Sequence, residues 1–258
     1  RRAEVHAIAR EIKRLTQEEN IRYRDIGIMY RQADVYDPII STIFAQYDIP
    51  VFTNEKKTML HHPLIEFSRS VLEVVTSNWK YEPIFRCVKT DLFFPLQSNL
   101  KEMREKADLF ENFVIEQGIY GYRWTQEQRW IYKKYRGLEF VTKNQTDEER
   151  KVQEIIDEMK EYIRKPLLNL ESQLKKAKTG REIATALYDC IDELQVYEKL
   201  QRLKDREIEE GLLEQAAEHD QAWNRWINVL DQFVLMFGDQ QITLEEAANI
   251  LDEGYDTL

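Results

Sequence analysis

The stretch Arg24-Asp25-Ile26-Gly27-Ile28-Met29-Tyr30-Arg31 decides how the first third of the chain is read. Ile26, Ile28 and Met29 form a short apolar run and Gly27 permits close backbone approach, the pattern of a short buried strand. Arg31 falls just past the carboxyl end of that run, where open α/β sheets place their ligands. Working outward, Val5, Ile8, Ala9, Ile12 and Leu15 recur at helical spacing before the run, and Ile39, Ile40, Ile43, Phe44 and Tyr47 do so after it. Ile49-Pro50-Val51-Phe52 reads as a second strand. The expectation is a helix–strand–helix–strand unit, a partial Rossmann-like α/β domain over residues 1–95. Within it Arg31 is either a ligand-facing cation or a surface group that closes the half-domain.

The 258 residues are 43% hydrophobic and 33% charged, a helix-rich balance with enough apolar surface for a large core and two domains. No apolar run approaches the ~18 residues of a membrane span, and no signal-peptide pattern opens the chain, so a cytoplasmic protein without membrane contact is expected. The chain opens inside a helical pattern at Arg1-Arg2 and closes at Leu258 without a terminal signal, as a portion of a longer protein would. Cys87 and Cys190 lie far apart on apolar faces and read as buried free thiols. The net charge of −10 is unevenly spread: residues 146–258 carry 14 Lys/Arg against 27 Asp/Glu, whereas residues 61–145 carry 13 against 11. The acidic half is a poor track for a phosphate backbone, and the near-neutral part is the better host for a basic groove.

Five of the six prolines fall within the first 95 residues, so short elements are expected to give way to long helices near residue 95. Asn99 with Glu102, Thr146 with Glu149, Thr179 with Glu182 and Thr243 with Glu246 each place a short polar acceptor three residues before a glutamate, the reciprocal capping signal. Apolar stripes follow each of the first three starts, and Trp223, Trp226, Ile227, Leu230, Val234 and Phe237 form the strongest stripe of all. Pro166 is expected to kink or end the helix that contains it. The fold class predicted is therefore α/β leading into mostly α, with a helical domain over residues 96–258.

Residues 120–136 are the clearest candidate for nucleic acid. They interleave Tyr120, Tyr122, Trp124, Trp130, Tyr132 and Tyr135 with Arg123, Arg129, Lys133, Lys134 and Arg136, against one acid, Glu127. Aromatic faces stack on unpaired bases while cations hold phosphates. The competing reading places Trp124 and Trp130 in a core, with the cations on a solvated face. His61-His62 lacks the further ligands a zinc site needs and reads as a helix start before Pro63. No Gly-x-x-x-x-Gly-Lys-Ser/Thr loop, nucleophile–base set or iron–sulfur cysteine spacing occurs, so this chain by itself is expected to catalyse nothing.

The order Asp25-Ile26-Gly27-Ile28-Met29-Tyr30-Arg31, helix, Asp48-Ile49-Pro50, helix resembles the start of the second motor domain (2A) of UvrD-type superfamily 1 helicases. In that family the Tyr-Arg pair is the fourth helicase motif. The resemblance implies that Tyr30 lies against the adenine of ATP, with Mg, and that Arg31 reaches its γ-phosphate, roles suited to an aromatic face and a permanently charged fork. It also implies that the helical part is the inserted 2B domain. Asn54-Glu55-Lys56-Lys57-Thr58-Met59-Leu60-His61-His62-Pro63-Leu64, Phe85-Arg86-Cys87-Val88-Lys89-Thr90-Asp91-Leu92 and Gly118-Ile119-Tyr120-Gly121-Tyr122-Arg123-Trp124-Thr125 are similar instead to the AddB subunits of bacterial AddAB helicase–exonucleases. That resemblance implies DNA double-strand ends as substrate, recombinational repair as the process, an AddA-type helicase–nuclease subunit as partner, and an iron–sulfur cluster outside this chain. The same region of an active UvrD-type DNA helicase and a helical protein-interaction scaffold remain as alternatives.

Overall fold

The computed structural model describes residues 1–51, 59–134 and 145–256, and the chain divides into two compact units, Arg1–Lys57 and Thr58–Leu258. In the first unit α1 (Arg2–Glu18) packs on α2 (Ala33–Gln46). The stripe read from sequence does the packing: Val5, Ala9 and Ile12 meet Ile40, Ile43 and Phe44, with Ile49 closing the cluster. The connection between the helices carries one 3-10 turn, Tyr23–Asp25, and then runs extended.

Here the predicted α/β architecture is overturned. Among the described residues no strand pairs with another, and every regular element is helical. Ile26 has extended backbone angles and Ile26, Ile28 and Tyr30 lean on the helix pair, but Met29 is 99% exposed. An extended segment becomes a strand only when a neighbour takes its N–H and C=O groups, and none of the described residues does so. The second expected strand, residues 49–52, fails for a local reason. The Ile49 N–H donates back to Phe44 O to close α2, and Pro50 has no N–H to offer; Phe52 lies outside the described residues.

The second unit is all-helical: α3 (Pro63–Thr76), α4 (Tyr81–Lys89), α5 (Leu100–Glu116), the short α6 (Tyr122–Thr125), α7 (Asp147–Lys176), α8 (Gly180–Glu193), α9 (Val196–Glu209), α10 (Leu213–Phe237) and α11 (Leu244–Asp256). Residues 63–94 thus share one core with the later helices, so the change expected near residue 95 does not coincide with the division of the chain. Helix α3 is central. Leu64, Ile65, Phe67, Ser68, Ser70, Val71, Leu72 and Val74 are all buried, because α4, α7, α10 and α11 surround it.

The helix starts follow the capping signals. Thr146 and Thr179 each form a complete capping box with Glu149 and Glu182, Asn99 accepts from the N–H groups of Lys101 and Glu102, and Thr243 exchanges bonds with Glu246. His62 caps α3 by accepting from the Leu64 N–H. Helix α7, by contrast, runs through Pro166 rather than ending there. A proline inside a helix costs ~3 kcal/mol, and the continuous buried row Ile156, Met159, Ile163, Leu167, Leu170 and Leu174 on both sides of it offsets that cost.

Gly180 opens α8 at a point where α8 and the end of α10 touch. A Cβ there would meet the Phe237 carbonyl oxygen at 2.5 Å, while the Gly180 N–H donates to Gln240 O. Gly180→Ala is expected to lower stability by about 1–3 kcal/mol, since backbone must move to admit the methyl. Urea unfolding of the variant against the parent measures it.

Candidate functional site

Two places hold the residues singled out from sequence, one in each unit. In the first unit a groove of about 420 Å³ opens between the helix pair and the extended segment, lined among others by Glu4, Ile8, Tyr30, Arg31, Tyr36 and Phe44. The Tyr30 hydroxyl donates to the buried Asp37 carboxylate, and the Tyr30 and Tyr36 rings lie 5.9 Å apart, so the Tyr30 ring is held rather than free to swing. Tyr36 in turn donates to Glu4 at 2.9 Å, and this bond pushes its phenol above the ordinary range. Arg31 is exposed at the groove's rim. The arrangement offers a planar aromatic, an exposed cation and an apolar floor.

In the second unit the aromatic–basic segment is built inward. Gly121 takes φ +58°, ψ −133°, a conformation open to glycine, and donates its N–H to Trp79 O. That turn delivers Trp124 into the core, where it is 0% exposed, near-parallel to Trp79 at 6.4 Å and edge-on to Trp130 at 4.9 Å, with Phe110 against both. Trp130 is 5% exposed, and the Lys160 ammonium sits 4.4 Å from its ring centre.

One face of α7 holds the backbone of this segment. Arg164 donates to Trp124 O at 2.8 Å and Thr125 O at 3.2 Å, and Lys160 donates to Gln128 O at 2.9 Å. Gln153 donates to Trp130 O and accepts from the Tyr132 N–H, both at 2.7 Å; the buried Glu149 accepts from the Lys134 N–H at 3.1 Å. Burial first, and the Arg164 charge second, lower the Lys160 pKa. Positions 149, 153, 160 and 164 repeat at 4, 7 and 4, a single helical face. Sequence reasoning misses these four because their polar types mimic a solvated face, and only their heptad spacing signals a shared role.

The seven predicted nucleic-acid residues therefore separate. Trp124 and Trp130 are core. Arg123 donates to Gln117 O at 2.6 Å and Gly118 O at 3.1 Å, satisfying the carboxyl end of α5, and Arg129 pairs with Asp157 at 2.8 Å. Tyr122, Lys133 and Lys134 are exposed, and among the described residues neither lysine forms an ion pair. Tyr120 is exposed too, while Tyr135 and Arg136 lie outside the described residues. Among the described residues no group of His, Cys, Asp and Glu is placed to hold a metal, and no helix is long and apolar enough to cross a membrane.

Trp124→Ala is expected to cost about 3–5 kcal/mol, the range for an emptied aromatic site in a core. Tyr122→Ala, at an exposed position, should stay within ~0.5 kcal/mol. Chemical denaturation of the two variants side by side separates packing from surface.

No family model matches the chain. Its sequence is 64% identical over all 258 residues to AddB, the B-type subunit of the ATP-dependent helicase/deoxyribonuclease, of Lysinibacillus sphaericus (strain C3-41). It is 44% identical over the same span to the protein of that name in Geobacillus thermodenitrificans (strain NG80-2), and 40% identical over 257 residues to that of Bacillus thuringiensis subsp. konkukian (strain 97-27). In each case the chain covers 22% of the relative's length. Over its whole length the chain is thus similar to one portion, about a fifth, of AddB-type ATP-dependent helicase/deoxyribonuclease subunits.

Proposed function

We propose that the chain is a helicase-like region of an AddB-type subunit, working within an ATP-dependent helicase–deoxyribonuclease that processes DNA double-strand ends for recombinational repair. The observation that carries this reading is the 64% identity over all 258 residues to a protein of that name. The region contributes contacts to DNA and to an AddA-type partner subunit, and the chemistry is done elsewhere in the complex. Any iron–sulfur cluster of that complex lies outside this chain. Tyr30 and Arg31 are its candidate contact with ATP, which the parent protein would bind together with Mg; the contact is supported by an aromatic held over a groove and an exposed guanidinium at its rim. Residues 96–258 are the candidate helical insertion, and residues 64–94 share one core with its described helices.

The DNA contact rests on the exposed rim of the 120–134 segment: Lys133, Lys134 and Tyr122, with Arg129 and Arg123 at its edge. Base stacking by Trp124 and Trp130 would require both rings to leave the core. That burial favours a second reading, in which this face is a scaffold for a protein partner.

Both readings meet in one experiment on the complete complex. Lys133→Glu/Lys134→Glu is compared with the equal reversal Glu209→Lys/Glu210→Lys on the acidic half. If the rim tracks phosphates, the lysine variant binds a DNA end at least about tenfold more weakly at low salt, and its log K–log salt slope falls by roughly 2. The acidic-half variant should bind no more weakly than the parent. Parent-like DNA binding by the lysine variant, with loss of subunit association, would select the scaffold.

A further inference from the structure

A chain of three titratable groups runs through the second unit, outside both candidate places. His62, the cap of α3, accepts the Leu64 N–H on Nδ1 at 3.2 Å. Its Nε2 lies 2.9 Å from Nδ1 of His219 on α10, and Nε2 of His219 lies 3.0 Å from the Glu207 carboxylate on α9, off the line of an ideal hydrogen bond. Both rings are only 8% exposed.

These contacts fix the protons. A backbone N–H can only donate, so Nδ1 of His62 must be the bare nitrogen, and its proton sits on Nε2. That proton is donated to Nδ1 of His219, which must be bare in turn, leaving the His219 proton on Nε2, facing Glu207. Two neutral rings and one carboxylate satisfy every position. No position remains for another proton. If it enters at His62 Nδ1, the ring confronts the Leu64 N–H donor to donor. If it enters at His219 Nδ1, beside the Glu207 charge, His62 must turn its Nε2 lone pair toward it and move its own proton to Nδ1, which meets the same N–H. Both routes end with the same proton inventory and the same lost cap.

We propose that His62, His219 and Glu207 form a proton-operated latch, in which one added proton uncaps α3 and loosens its tie to the α9–α10 pair. The surrounding charges do not offer a substitute. Glu66 of α3 lies against Arg86, Arg69 is held by Asp252 and Asp256 of α11, and Asp220, next to His219, is taken by Lys204 and Gln201 of α9. His61 is exposed, and Glu218 on the other side of His219 is engaged in a further interaction. Burial, and then the neighbouring His219, push His62 down to about 4 from its ordinary 6.5. A histidine whose folded-state pKa is depressed binds its proton more readily when unfolded. Its contribution is therefore complete above pH 6.5 and lost progressively as pH falls toward 4.

The test needs no variant at first. On the 258-residue chain, ¹⁵N chemical shifts of the imidazoles at pH 7.5 should report both His62 and His219 as Nε2–H tautomers, and the Leu64 amide should exchange slowly. Lowering the pH to 5 should reduce that amide's protection factor, its exchange measured against the intrinsic rate at the same pH, and reduce the thermal midpoint. His62→Asn keeps a capping acceptor that does not titrate, so the fall in midpoint between pH 7 and pH 5 should shrink to half or less of the parent's. An Nδ1–H tautomer for His62 at pH 7.5 overturns the proposal. So does a His62→Asn variant with the parent's full pH dependence. If His62→Asn does not fold, the tautomers and Leu64 exchange of the parent decide alone.

Discussion

The grip of α7 on the backbone of residues 124–134 is the constraint on which the rest of the second unit depends. An irregular segment that enters a core must have its peptide groups satisfied, because an unpaired buried donor or acceptor costs about as much as a whole side chain contributes. Arg164, Lys160, Gln153 and Glu149 meet that demand in order along one helical face. With the peptide groups accounted for, Trp124 in the four-residue α6 and Trp130 in the irregular chain after it can be buried against Trp79 and Phe110. The same face supplies the Thr146–Glu149 box that starts α7, so Glu149 both opens the helix and holds Lys134.

This arrangement divides the segment by chemistry. Its aromatic mass stabilises the fold, and what reaches solvent is a rim of lysine, arginine and tyrosine. A rim of that kind contacts phosphates through charge and leaves base identity unread. In the proposed role such a rim would guide a strand without choosing a sequence. In the first unit the division differs. Tyr30 and Arg31 sit together at one groove, and Asp37 fixes the aromatic while the cation stays exposed.

Much of the helical unit is legible in the residues. Asn99, Thr146, Thr179 and Thr243 start helices because a short side-chain acceptor and a glutamate three residues on satisfy the same free N–H groups wherever they occur, a local signal that needs no tertiary context. The stripes of α1, α2 and α10 are equally local. What sequence does not show requires knowledge of neighbours. Residues 26–31 have the composition of a strand, but pairing depends on another segment lying alongside; Ile49 is committed to closing α2, and Pro50 has no N–H to offer. The alternation of aromatic and basic residues over 120–134 reads the same whether the rings face bases or a core; Gly121 and the polar face of α7 make the difference. Pro166 misleads because the burial that outweighs its cost comes from other helices. His62 reads correctly as a helix start, while its partner 157 positions away leaves no local signal.

The most direct test of the α7 grip is amide hydrogen exchange across residues 128–134, with and without a single-stranded oligonucleotide. If α7 holds this backbone, the Tyr132 and Lys134 amides are protected in the free protein, and the oligonucleotide changes their exchange little. Rapid exchange in the free protein, slowed only when the oligonucleotide is present, would contradict it: the segment would then be a loop ordered by nucleic acid, with Trp124 and Trp130 available to stack.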